Sequence, residues 1–196
     1  MRRFIVCGFG VAAVWSPLSV AAQTLSGEIY FVVKGTLSVT NPVVDVELWA
    51  SFQPVPGTAE MFLGTAGRMQ TSEVISLVNY YFPAGQLGSI TSPPKGEKFL
   101  YNAGQIHFPP AVIGNQNNPF HLLTVSFTSS DLTTQRTIDL STLTTGFTVG
   151  NFTTGFATQV PLSAVTEGSA KIHVVPSPAP LALLCLAPLL ARRRRV

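Results

Sequence analysis

The clearest pattern in the chain is at residues 44–52, where apolar Val44, Val46, Leu48, Ala50 and Phe52 alternate with Asp45, Glu47, Trp49 and Ser51. A period of two places the first set on one face of a half-buried strand and the second on the other. Shorter runs of the same kind occur at 28–33, 36–40, 60–63, 69–77, 104–108, 122–128, 135–140, 147–149 and 169–174. No stretch keeps a 3.6-residue apolar period over ten positions, and the most helix expected is a single turn within 131–141. Lys34-Gly35 reads as a hairpin turn, and 54–57, 92–96 and 114–119 read as Pro/Gly-rich breakers. The threonines between 124 and 166 suit solvent-facing strand positions. Together these predict an all-β fold: one β-sandwich of about eight or nine strands, without an internal repeat or second domain.

Both ends break the alternation. Arg2 and Arg3 precede an apolar run at 4–15, and small residues around Pro17 lead to Val20-Ala21-Ala22. That is the layout of a secretory signal peptide, with cleavage by signal peptidase expected between Ala22 and Gln23. Cys7 lies inside the apolar run rather than at its end, which excludes a lipoprotein signal. At the other end, Pro176, Ser177 and Pro178 stop any strand. The run 179–191 has no charged residue, and Arg192, Arg193, Arg194 and Arg195 end it abruptly. Four adjacent guanidinium groups resist desolvation, so they mark a membrane stop on the cytoplasmic side. Thirteen helical residues reach only about 20 Å against a hydrocarbon core of about 30 Å, which suits a temporary anchor. The expected organisation is a signal peptide at 1–22, a β-sandwich domain at 23–175 and a sorting or anchor segment at 176–196.

The proline motif, apolar segment and arginine cluster resemble the PEP-CTERM sorting signal of exported bacterial proteins. The resemblance covers about the last twenty residues, and the chain has Ser177 where the motif name has Glu. It implies transient recognition by an exosortase, a membrane-bound transpeptidase-like enzyme, and an association with exopolysaccharide or biofilm. A plain hydrophobic anchor is the simpler reading of the same residues. The order of elements in the body, including the apolar run 122–127, is similar to cohesin-like bacterial surface sandwiches. That likeness is one of pattern without a diagnostic motif. By fold-level analogy it implies an interaction role.

Charge changes the picture once the ends are set aside. Twelve Lys and Arg against nine Asp and Glu give a formal +3. Six of the twelve sit in the terminal segments, leaving the body with six basic and nine acidic residues, a net of −3. The basicity is therefore topogenic, and it gives no support to nucleic-acid binding. Both cysteines, Cys7 and Cys185, also lie in the ends, so the body relies on neither disulfides nor thiolate-bound metal.

Candidate chemistry is sparse. His107 and His121 stand outside any metal-binding spacing and read as strand-face residues. No nucleophile elbow, phosphate-binding loop or dinucleotide fingerprint occurs. Asp45 and Glu47 share a strand face, which is a solvated face before it is a glycosidase pair. The expectation is a non-catalytic protein with no metal or cofactor. Exposed aromatics supply the one candidate ligand surface: Trp49 beside Asp45 and Glu47, then Tyr80 and Tyr81 at the end of a strand, with Tyr101 near another turn. Trp49 either closes an edge of the core or stacks on a ligand. The leading reading is a cell-surface or extracellular-matrix protein that contacts polysaccharide or surface proteins. Its alternative is a carbohydrate-binding module using those rings, and a secreted hydrolase stands third.

Overall fold

The computed structural model describes residues 25–54, 60–105, 117–151 and 155–176. Ten strands form among them: β1 (Ser26–Lys34), β2 (Val44–Gln53), β3 (Glu60–Tyr81), β4 (Leu87–Thr91), β5 (Lys95–Gly104), β6 (Phe120–Thr128), β7 (Arg136–Asn151), β8 (Ala157–Gln159), β9 (Val165–Thr166) and β10 (Ser169–Val174). They hydrogen-bond into one sheet with the order β10-β7-β3-β6-β2-β1-β9, and β5 carries β4 off the side of β3. The sheet curls into the two layers of a sandwich because β3 belongs to both. Its first half, 60–71, pairs with β7 and β5. Its last residues, 76–81, pair with β6. The register slips between Gln70 and Ile75, where the strand passes from one layer to the other. Irregularities of this kind bend a strand and increase its twist.

The period-two reading holds in detail for β2. Val44, Val46, Leu48, Ala50 and Phe52 are all buried, while Asp45 is exposed and Glu47, Trp49 and Ser51 are half-buried. Aromatic rings share that core. Phe62 of β3 lies 4.8 Å from Phe120 of β6 and 5.4 Å from Phe147 of β7, and Phe99 of β5 lies 5.2 Å from Phe127 of β6. Each buried phenylalanine contributes about 1.5–3 kcal/mol by leaving water. That core needs no cross-link.

Several local expectations differ from the structure. The runs at 60–63 and 69–77 belong to one 22-residue strand, and those at 135–140 and 147–149 to one of 16 residues. The run at 36–40 is not a strand. Ser38 accepts from the Asn41 N–H and the Asn41 amide donates to the Thr36 carbonyl, so local side-chain bonds win over a ladder. Only Leu37 remains in contact with the sheet, as an isolated parallel bridge to Val174. Gly35 does turn the chain, at φ +108°, but the β1–β2 pairing closes at Lys34 opposite Asp45, making a nine-residue connection over 35–43. No helical turn forms in 131–141. Asp131 there accepts from Thr133 and Thr134 in a tight Asx-type turn, and the short 3₁₀ turn is at Leu162–Ala164 instead. The strand expected at 104–108 ends at Gly104, and residues 106–116 lie outside the described part.

Candidate functional site

Two outer faces remain once the core is accounted for. The first covers β1, β2, β6 and the end of β3, and it carries a row of rings contributed by four strands. Tyr30 pairs with Trp49 across β1 and β2, and Trp49 pairs with His121 across β2 and β6. The Tyr30 and Trp49 ring centroids are 6.5 Å apart at 11° between planes, and those of Trp49 and His121 are 4.6 Å apart at 19°. Tyr81 meets His121 edge-on at 6.5 Å and 90°. Rings only 4.6 Å apart and nearly parallel must overlap, so one face of Trp49 rests on His121. The indole N–H donates to Glu47 Oε2 at 3.0 Å, and Lys34 Nζ reaches the same oxygen at 3.3 Å. His121 is held further by Thr124, whose hydroxyl lies 3.0 Å from Nε2, and by Gln86, whose amide donates to the His121 carbonyl. Burial lowers the His121 pKa, opposed by the Glu47 carboxylate. Burial likewise raises that of Tyr30, with Glu28 acting in the same direction.

The second face covers β4, β5, the first half of β3, and β7. Its register lines up three rows: Leu87, Gly104, Gly64 and Thr148; then Ser89, Asn102, Ala66 and Gly146; then Thr91, Leu100, Arg68 and Leu143. Glycines, alanine and serine keep the middle of the face low, and a shallow depression of about 570 Å³ results. At Gly104 the reason is close backbone approach, because a Cβ there would strike the Leu63 carbonyl. At Gly146 a Cβ would meet nothing, so the absence of a side chain simply keeps the floor low. Leu87, Leu100 and Leu143 stand around this floor at 57%, 53% and 48% exposure. Between the last two, the Nε of Arg68 is buried without a hydrogen-bond partner.

Of the residues singled out in the sequence, Trp49 and Tyr81 come together, joined through His121. Tyr80 does not join them: it lies opposite Val125 and meets Phe82 edge-on at 6.0 Å. Tyr101 is not near a turn. It sits in the middle of β5, 3% exposed, and burial pushes its pKa up to about 12. Pro176 is the last described residue, half-buried just beyond β10, next to a Val175 whose N–H donates to the Leu37 carbonyl. Ala22, Gln23, Ser177, Pro178 and Arg192 to Arg195 lie outside the described residues, as does His107. Among the described residues, no three His, Cys, Asp or Glu side chains cluster as metal ligands would, and no helix is long and apolar enough to cross a membrane. The sequence singles out neither Tyr30 nor Arg68 and gives His121 only as a strand-face residue, because only strand register reveals their neighbours.

The two-layer sheet, joined by a strand shared between layers, is a cohesin-like β-sandwich. Two solved cohesin structures share that fold. One is the cohesin module of a family 33 glycoside hydrolase from Clostridium perfringens, similar over 79% of this chain and 100% of that one at 13% identity and a TM-score of 0.54. The other is the seventh ScaB type I cohesin from Pseudobacteroides cellulosolvens, similar over 78% of this chain and 94% of that one at 14% identity and a TM-score of 0.53. At such identities the likeness concerns the fold. No protein-family model matches the chain, and the comparison with curated proteins finds no match.

Proposed function

We propose that this chain is an exported, non-catalytic module of the cell surface or extracellular matrix, and that it binds a protein through the outer face of β4, β5, β3 and β7. The supporting observation is the row Leu100–Arg68–Leu143. A buried guanidinium Nε without a partner, set between two exposed leucines at the rim of a floor of small residues, joins the arginine enriched at interfaces to apolar surface open to solvent. The two cohesin modules that share the fold are consistent with a binding role.

Delivery rests on the ends. Signal peptidase removes residues 1–22 before Gln23, the domain at 23–175 is the cargo, and 176–196 holds it at the membrane until an exosortase acts at Pro176-Ser177-Pro178. The tail's resemblance to the PEP-CTERM signal is what supports an exopolysaccharide or biofilm setting. Intact mass of the surface fraction tests delivery: a product starting at Gln23 and lacking Arg192 to Arg195 is expected, and a retained arginine tail refutes processing. For the face, immobilised chain is incubated with envelope extract of the producing cells. Leu100→Asp with Leu143→Asp should abolish retention of a protein that the unaltered chain holds, while leaving thermal unfolding unchanged. Equal retention by both overturns the assignment.

The aromatic row supports a second reading, in which Trp49 and Tyr81 contact a carbohydrate at the opposite face. Retention on polysaccharide that disappears in Trp49→Ala would favour it over the protein-binding face.

A further inference from the structure

A sheet edge exposes unpaired backbone N–H and C=O groups, and proteins guard such edges with charge, proline, bulges or brevity. Most free edges here are guarded. β9 has two residues and β8 three. β10 presents Lys171, paired with Asp139, and its end is met by Leu37. The outer end of β3 carries a register shift between Leu77 and Asn79. β4 differs. Its residues Leu87-Gly88-Ser89-Ile90-Thr91 include no charge and no proline, and they make five unbroken pairs with β5. Among the described residues β4 pairs with no other strand. Four of the five are exposed, and the half-buried Ile90 packs inward against the core.

We infer that β4 is a self-association seam, occupied by β4 of a second copy in antiparallel pairing across a two-fold axis at Ser89. Self-complementarity identifies the occupant. Such pairing sets Leu87 opposite Thr91 of the partner and Gly88 opposite its Ile90, so no like charges meet. Leu87 and Thr91 lie on the same face as Leu100, which neighbours Thr91 on β5. The leucine of one copy therefore extends the apolar row of the other, and two side chains now 57% and 53% exposed gain cover. Edge addition also offers hydrogen-bond partners to the outer main-chain groups of β4. The seam adjoins the protein-binding face at Leu87 and Leu100 but is argued from the β4 edge itself: a chain that dimerises without retaining a partner, or the reverse, separates the two.

The test uses the full chain in detergent with Cys7→Ser and Cys185→Ser as background. Under mild oxidation Ser89→Cys should give a covalent dimer, whereas Ser141→Cys, exposed on β7 and separated from β4 by two strands, should not. In the unaltered chain, light scattering should show a dimer that dissociates on dilution, and Ser89→Lys with Thr91→Lys should weaken it by about tenfold or more. Equal cross-linking at both cysteines, a monomer at every concentration, or a dimer indifferent to the lysines would overturn the seam. Should the lysine pair lose its β circular-dichroism signal, the contrast between the cysteine variants decides.

Discussion

Arg136 grips Glu73 with both ends of its fork. Nε lies 3.0 Å from each carboxylate oxygen and Nη2 lies 2.8 Å from Oε1. The same guanidinium donates to Ser129 Oγ at 2.7 Å and to the Thr134 carbonyl at 3.2 Å, and it approaches Asp131 at 3.4 Å. Glu73 stands in the stretch where β3 changes layers, so the contact ties that crossing to the start of β7 and the turn before it. Both side chains are partly solvated, at 22% and 32% exposure, which reduces their worth below that of a buried pair. Arg136→Ala should therefore lower stability by about 1–2 kcal/mol in urea unfolding, and Arg136→Lys should recover little of it, because an ammonium cannot reproduce a planar two-point contact. Full recovery by lysine would show that charge alone matters there.

Gly67 owes its identity to Tyr101. A Cβ at position 67 would lie 2.7 Å from the tyrosine hydroxyl oxygen and 2.8 Å from the Leu143 carbonyl oxygen. Gly67→Ala should cost about 1–3 kcal/mol by overpacking. Adding Tyr101→Phe removes the hydroxyl contact but leaves the ring carbon Cζ at 2.9 Å and the Leu143 carbonyl, which is backbone. The double variant should regain part of the loss, and a thermodynamic cycle on chemical denaturation measures how much. Strict additivity would mean that the hydroxyl is not what excludes the methyl.

These contacts show why some of the fold was legible and some was not. Strand β2 was readable because its inner residues are all apolar and all but one of its outer residues are polar. Trp49 stood out as the exception on that outer face. Its setting was hidden, because the stack on His121 depends on a bulge between Leu48 and Trp49 in the β2–β6 register. The lengths of β3 and β7 were obscured by Gly64, Gly67 and Gly146, which read as punctuation but serve close approach and an open floor. In β5 the inward set Phe99, Tyr101 and Ala103 was masked by the outward Leu100, one of the residues on which the proposed binding face depends. Apolar residues on an outer face are what hide a strand's period, and here they are also what make the candidate surface.

The His121 stack gives a pH signature. Its folded-state pKa is lowered, chiefly by burial, so the unfolded chain takes up a proton more readily than the folded one. The contribution to stability is complete above the unfolded value of about 6.5 and is lost as pH falls from there toward the folded value. Unfolding midpoints measured from pH 8 to pH 5 should decline for the unaltered chain, and the decline should be smaller in His121→Gln. Parallel curves for the two would place the acid sensitivity elsewhere. The turn at Asp131 is expected to respond in a lower window: hydrogen bonds from Thr133 and Thr134 hold that carboxylate well below the usual range. Its contribution persists until pH falls below about 4, the unfolded value.

Glu167 does the work of a missing strand. The β10–β7 ladder ends at Ser169 opposite Ser141, yet β7 continues for ten more residues. The Thr142 N–H donates to the Gly168 carbonyl at 3.0 Å, and beyond it the Glu167 carboxylate takes over. Oε1 accepts from the Thr144 N–H at 2.6 Å, while Oε2 accepts from the hydroxyls of Thr142 at 2.6 Å and Thr144 at 3.0 Å. Both threonines are buried, so removing the acceptor strands a backbone donor and two hydroxyls where water has poor access. Glu167→Ala should cost about 1–2 kcal/mol, allowing for the exposure of the glutamate itself. Glu167→Gln keeps an acceptor oxygen for the Thr144 N–H and should lose less. Amide exchange at Thr144 provides the local reading: it should accelerate strongly in the alanine variant and weakly in the glutamine one. Unchanged protection in Glu167→Ala would show that this length of β7 is held by its β3 partner alone.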